Sequence, residues 1–214
     1  MKRKLLSIAM AVVMSAVCLA GCSGGLSKSS FISAAKKCGM KELDGDRTLR
    51  EVLLDQEESV SVYYVEKDNK LMQLEIRDYA PDAEVKEFVR AIETIGKNDN
   101  ELYCSTYVYY IALEDSKNAK KTYKQLTKNF ANPGDKEAEP EEGEKNGVTY
   151  TICYIGSEDL QNVKEDYTGE LAYGVYLKDN KIVWIRSHFD SELDNDCVEK
   201  ICKSLGFVSP YTLK

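Results

Sequence analysis

The chain reads as an α+β fold, with largely antiparallel strands in one or two sheets and helices packed on one face. Three observations carry that expectation. Runs dense in β-branched and aromatic residues, such as "STYVYYIAL" at 105–113, alternate with stretches whose apolar residues recur at helical spacing. The tetrapeptide Lys-Asp-Asn-Lys occurs twice, at 67–70 and 178–181, each time between two alternating runs and each time ahead of an amphipathic stretch that ends in Ile95-Gly96 or Leu205-Gly206. With 43% hydrophobic residues in 214, the chain can bury one core of ordinary size.

Taken in order, residues 30–38 predict a helix with the stripe Phe31, Ala34, Ala35 and Cys38, and a short helix is expected at 48–55. Strands follow at 59–66 and 71–78 around Lys67-Asp68-Asn69-Lys70. A helix is expected over 82–95, with Val85, Phe88, Val89 and Ile92 on one stripe and Pro81 at its start, where a missing N–H costs nothing. The strand at 105–113 leads to a helix at 116–130 with the stripe Ala119, Tyr123, Leu126 and Phe130. Residues 132–147, acidic and without apolar period, read as a solvated loop. Strands at 148–155, 170–178 and 181–188 precede a last helix at 192–205, with the stripe Val198, Ile201, Cys202 and Leu205 and with Ser191 and Asp194 placed as N-cap and N3 acid.

The repeated tetrapeptide predicts two related helix–strand–strand–helix units, about 30–100 and 101–214, within one domain at 30–214. Asp-Asn suits a two-residue hairpin turn, and counting outwards from it sets the pairing. In the first hairpin Val65 then faces Met72 and Tyr63 faces Leu74. In the second, Val175 faces Trp184, Tyr173 faces Arg186 and Leu171 faces His188. That outer face is too apolar for plain solvent. It is either covered by another part of the chain or is a place where something docks, and Trp184, Tyr173, Arg186 and His188 are its candidate binding residues.

The first residues carry a different message. Lys2, Arg3 and Lys4 precede an apolar run from Leu5 to Val17, the charged and hydrophobic regions of an export signal, and too short for a comfortable membrane span. The run ends in Leu19-Ala20-Gly21-Cys22, which resembles the lipobox of bacterial lipoproteins. The resemblance covers about the first 25 residues and implies cleavage after Gly21, a diacylglycerol on Cys22 as lipidation site, and attachment to the extracytoplasmic face of the cell membrane. Residues 22–29 then form a short lipidated tether of small and polar side chains. In general style the rest is similar to exported lipoproteins of Gram-positive anaerobes, a likeness that carries no functional residue over.

The formal net charge of −7 argues against nucleic acid as a partner and against adhesion to anionic lipid by charge alone. Catalytic signatures are missing from the sequence: it holds no Gly-x-Ser-x-Gly, no Cys-x-x-Cys, no His-Glu-x-x-His and no glycine-rich phosphate loop. A lone histidine, His188, and scattered cysteines offer no metal set, and no cofactor is expected. Asp190, Asp194 and Asp196 lack the glycine and terminal glutamate of a calcium loop, and read as acids complementing a helix dipole. Cys38, Cys104, Cys153, Cys197 and Cys202 are an odd set whose pairing the sequence leaves open. The expected function is therefore a membrane-anchored, non-catalytic binding or accessory domain for a protein, peptide or cell-wall glycan. The alternatives are a hydrolase or isomerase using carboxylates in a cleft between the repeats, and a structural subunit of an envelope complex.

Overall fold

The computed structural model describes residues 25–43, 60–95, 104–128, 139–156, 169–189 and 196–214. The signal at 1–21, Cys22, the expected helix at 48–55 and the Ser191–Asp194 cap lie outside them. The elements in chain order are α1 (Lys28–Lys37), β1 (Lys41–Glu42), β2 (Val60–Glu66), α2 (Asn69–Ile76), β3 (Val85–Ile95), β4 (Cys104–Leu113), α3 (Ser116–Lys128), β5 (Glu141–Lys145), β6 (Val148–Ile155), β7 (Glu170–Lys178), β8 (Lys181–Phe189) and α4 (Cys197–Leu205), followed by a 3-10 turn at Pro210–Leu213. The strands form one eight-stranded sheet in the order β1-β2-β3-β4-β8-β7-β6-β5. All neighbours are antiparallel except β1 and β2. The α+β expectation stands.

α1 starts at Lys28, inside the stretch read as tether. Ser27 caps it, accepting from the Ser30 amide at 3.1 Å while the Ser30 hydroxyl accepts from the Ser27 amide at 2.9 Å. This is a capping box with serine in place of the usual Glu or Gln.

The two Lys-Asp-Asn-Lys stretches do not do the same thing. At 178–181 the tetrapeptide is the expected hairpin turn: Lys178 pairs with Lys181, Asp179 takes φ 55°, and Val175–Trp184, Tyr173–Arg186 and Leu171–His188 are cross-strand neighbours as counted. At 67–70 it opens a helix. Asp68 caps it, its carboxylate accepting from the Lys70 amide at 2.8 Å and its carbonyl from the Met72 amide at 3.0 Å. The side chains after each copy decide the outcome. "KLMQLE" is made of strong helix formers, whereas "KIVWI" is dominated by β-branched and aromatic residues. The expected strand at 71–78 is therefore helix α2, and the first copy heads no hairpin like that of β7 and β8.

β3 corrects a second expectation. Val85, Phe88, Val89 and Ile92 sit at helical spacing, yet the segment is a strand buried on both sides. Val89 and Ala91 enter one core, and Phe88 enters the other. A central strand covered on both faces shows no period of two, so its apolar positions mimic a helical stripe.

The third correction is β5, in the second half of the acidic stretch. It pairs with β6 through Asn146-Gly147, at φ 55° and 72°, the backbone of a type I′ hairpin turn. Its glutamates are exposed on a sheet edge, where charge discourages pairing with a second chain.

Helices cover both faces of the sheet, where one was expected. α1, α4 and the C-terminal turn pack on one face around Phe31, Tyr63, Tyr110, Ile152, Tyr176 and Ile201. α2 and α3 pack on the other around Ile76, Phe88, Leu126, Val175 and Trp184. The cause lies in β4, where 108–113 are buried without interruption, so neither side of that strand can face water. Among the described residues no helix is long and apolar enough to cross a membrane.

On the α1/α4 face Tyr176 stacks on Phe207 at 4.3 Å and donates to the Val208 carbonyl at 2.7 Å, tying the C-terminal turn to the sheet. Its ring leans back over Gly174, where an added Cβ would stand 2.7 Å from ring atoms. Gly174→Ala is thus expected to cost about 1–3 kcal/mol, the range for overpacking a filled core. Gly143→Ala is expected to cost much less. Its Cβ would also meet a tyrosine, Tyr150, but that ring is half-exposed and can swing outward. Urea denaturation of both variants checks this, and equal midpoints would refute it.

Candidate functional site

Alternation along the strands places the site residues on the α2/α3 face in three rows across the sheet. One row runs Tyr64, Arg90, Tyr109, Trp184, Val175 and Thr151. The next runs Val62, Ile92, Tyr107, Arg186, Tyr173 and Cys153. A third holds Thr94, Ser105, His188, Leu171 and Ile155. The four candidate residues share this face as expected, but they do not share an environment.

Trp184 belongs to the core. It is 3% exposed, stacked on Tyr109 at 5.0 Å and met edge-on by Tyr79 at 4.8 Å. Its indole N–H has no hydrogen-bond acceptor among the described residues. As a surface contact Trp184 is therefore corrected: it is the floor under the site. Val175 and Leu171 are buried as well, so the apolar part of this face is covered by the chain itself.

One row further along, Tyr173, Arg186 and His188 are half-buried and line a cavity of about 300 Å³ with Arg90, Ser105, Tyr107 and Tyr109. Arg186 is fixed from below. Its Nη1 donates to Tyr79 Oη at 2.8 Å, and its Cζ stands 5.0 Å from the Tyr79 ring centre and 5.3 Å from that of Trp184. Arg90 packs in the same manner, 5.5 Å from the Tyr107 ring and 5.7 Å from the Tyr109 ring. Among the described residues no acidic side chain lines the cavity and Arg186 forms no ion pair. In a chain of net charge −7 this is a local reversal of sign. Such a niche can hold an anion by charge-assisted hydrogen bonds and present tyrosine rings and hydroxyls beside it.

Sequence reasoning missed Arg90, Tyr107, Tyr109 and Tyr79 as members of this site. Arg90 was hidden by the reading of 82–95 as a helix. The tyrosines of β4 stood out, but their place beside β8 depends on a pairing between segments more than 70 residues apart in sequence. Tyr79 arrives from the turn after α2, at a separation of 107 residues from Arg186.

Two larger grooves lie at the far end of α2 and α3. One, of about 670 Å³, is lined by Lys70, Gln73, Arg77 and Lys86, and the other, of about 570 Å³, by Lys117, Lys120, Lys121 and Lys124. Their walls are exposed side chains, some already paired, as in Lys121–Asp82 at 2.8 Å and Lys86–Glu114. Side chains free to swing in water make poor walls for a small ligand.

Among the described residues, a carboxylate with a raised pKa lies elsewhere. Glu93 points to the α1/α4 face, where burial and then the charge of Asp196 raise it, opposed by a hydrogen bond from Cys197. No group of three His, Cys, Asp or Glu side chains able to hold a metal is found among the described residues, which include Asp196 but not Asp190 or Asp194.

No known protein family matches the chain, and no curated protein is similar to it. Among solved structures it is similar to the extracellular domain of PknH from Mycobacterium tuberculosis, at 8% identity and a TM-score of 0.45, over 85% of this chain and 95% of that one. A likeness of that size carries no functional argument.

Proposed function

We propose that the chain is an extracytoplasmic, non-catalytic binding domain, tethered to the membrane by a diacylglycerol on Cys22, that takes part of a cell-wall glycan into the cavity beside Arg186. The observation that supports it best is the row Tyr107, Arg186, Tyr173: a guanidinium with a tyrosine on each side, cross-strand neighbours on β4, β8 and β7. Aromatic side chains offer a sugar ring apolar area with a polar tip. At about 300 Å³ the cavity is at the lower end of small-ligand sites, which suits a sugar or two better than a protein surface. Among the described residues its walls carry arginines and tyrosines and no acid, a set suited to binding.

Two measurements on the full chain test the reading. Mass spectrometry of the protein from a membrane fraction is expected to show an N-terminal peptide that begins at Cys22 and carries the acyl chains, and an unmodified peptide beginning elsewhere would remove the anchor. Co-sedimentation with purified wall glycan is expected to retain the protein and to fail for a Tyr107→Ala, Tyr173→Ala double variant whose melting is unchanged. Equal retention of that variant would take the cavity out of the account.

A further inference from the structure

Resting on the glycan reading above, we infer that the cavity selects an acidic sugar: a pyranose ring whose carboxylate lies on the guanidinium of Arg186. Three features of the site lead there.

Arg186 is prepared to receive a carboxylate. A guanidinium has five N–H donors in a rigid fork, and Tyr79 Oη occupies Nη1 alone. Trp184 and Tyr79 support the group from below, which limits the side-chain freedom left to lose when an anion docks. A planar fork held in one orientation matches the two oxygens of a carboxylate, which lysine in that place would not.

The surroundings call for more than an isolated anion. Arg90 stands on β3 and Arg186 on β8, with β4 between them, so their backbones are about 10 Å apart at the spacing of antiparallel strands. Tyr107 and Tyr109 lie in the interval, and Arg90 packs over both. Both guanidinium groups line the one cavity of about 300 Å³, together with the rings of Tyr107, Tyr109 and Tyr173. An occupant that offers a ring to the tyrosines as well as a charge to Arg186 uses more of these walls than a bare anion does.

The charge balance points the same way. A chain of net charge −7 repels anionic polymers in general, so acidic wall material would be drawn only to a niche from which carboxylates are kept away. The cavity is such a niche in its described walls, which carry two arginines and no acidic residue.

The protein holds its own reporter. Trp184 is its single tryptophan and lies against Arg186, so its fluorescence responds to an occupant of the cavity. The full chain in detergent is titrated with N-acetylmuramic acid and N-acetylglucosamine, which share the ring and differ by the lactyl carboxylate, and with lactate and inorganic phosphate. The expected result is a saturable change with N-acetylmuramic acid at an affinity at least tenfold above that of the neutral sugar. Arg186→Gln is expected to erase that preference, and Arg186→Lys to keep only part of it. Thermal melting of both variants confirms the fold, and calorimetry replaces fluorescence for them. Equal binding of the two sugars, indifferent to Arg186→Gln, would overturn the acidic-sugar inference and leave the glycan reading in place. Lactate or phosphate binding as tightly as the acid sugar would show a small-anion site and overturn it as well. Absence of binding by either sugar would overturn both.

Discussion

Trp184→Ala is expected to destabilise the fold by about 3–5 kcal/mol, the range for truncating a large buried aromatic to Ala. The indole is 3% exposed and is clamped between Tyr109, stacked at 5.0 Å, and Tyr79, edge-on at 4.8 Å. Its removal opens a cavity that the sheet backbone of β8 cannot close, and it also takes away the ring against which Arg186 lies. Trp184→Phe keeps most of the packing and deletes an N–H that has no acceptor among the described residues, so its cost is expected to stay below about 1.5 kcal/mol. Tyr173→Ala, at a half-exposed position in the next row, is expected to lie well below the alanine variant of Trp184. Urea denaturation followed by circular dichroism orders the three. If Trp184→Ala unfolded at the same midpoint as the parent, the placement of the indole as the floor of the site would be wrong. The result also bears on any binding study: loss of binding in Trp184→Ala reports on the fold, and Arg186 and the tyrosines are the residues to vary.

The second hairpin shows what a sequence can specify. Asp179-Asn180 fixes a two-residue turn, the flanking residues are β-branched and aromatic, and every cross-strand partner is then set by counting. The shared face of Trp184, Tyr173, Arg186 and His188 was legible for that reason. How that face divides into floor and rim was not, because Tyr79 and α3 reach it from distant parts of the chain. The first Lys-Asp-Asn-Lys misled because a turn-forming tetrapeptide is also a good helix start, and only the side chains after it choose. β3 misled because burial on both faces erases the period of two, and Arg90 was lost with it. β5 was concealed by its acidity, although Asn146-Gly147 ahead of the alternating run at 148–155 is a strong short-range hairpin signal.

Oxidation of the native chain is expected to join Cys38 to Cys197 and to raise stability by about 2–4 kcal/mol, the typical gain for closing a long loop. The sequence left the pairing open, and the structure brings these two together. Cys38 caps the end of α1 and Cys197 begins α4, and the Cys38 thiol lies 3.7 Å from the Cys197 carbonyl oxygen. A hydrogen bond from Cys197 lowers the pKa of Cys38, outweighing the opposing effect of its burial, while the same bond and burial raise Cys197. The half-exposed Cys38 is thus the more acidic thiol of the pair and the more accessible one, and the buried Cys197 is the less acidic. Burial pushes Cys153 and Cys202 up to about 11 and about 12, which keeps both protonated and unreactive near neutral pH. With glutathione disulfide as oxidant, Cys38 attacks one of its sulfurs and releases one glutathione. Cys197 then gives up its proton, attacks the mixed disulfide and releases the second, so two electrons pass from the cysteine pair to the oxidant. Peptide mapping is expected to show a Cys38–Cys197 crosslink and the loss of two hydrogens, with a higher urea midpoint that a reductant reverses. Cys197→Ser is expected to stop at the mixed disulfide on Cys38. A native chain that took up no oxidant at Cys38, or paired it elsewhere, would contradict the juxtaposition of α1 and α4 on which the expectation rests.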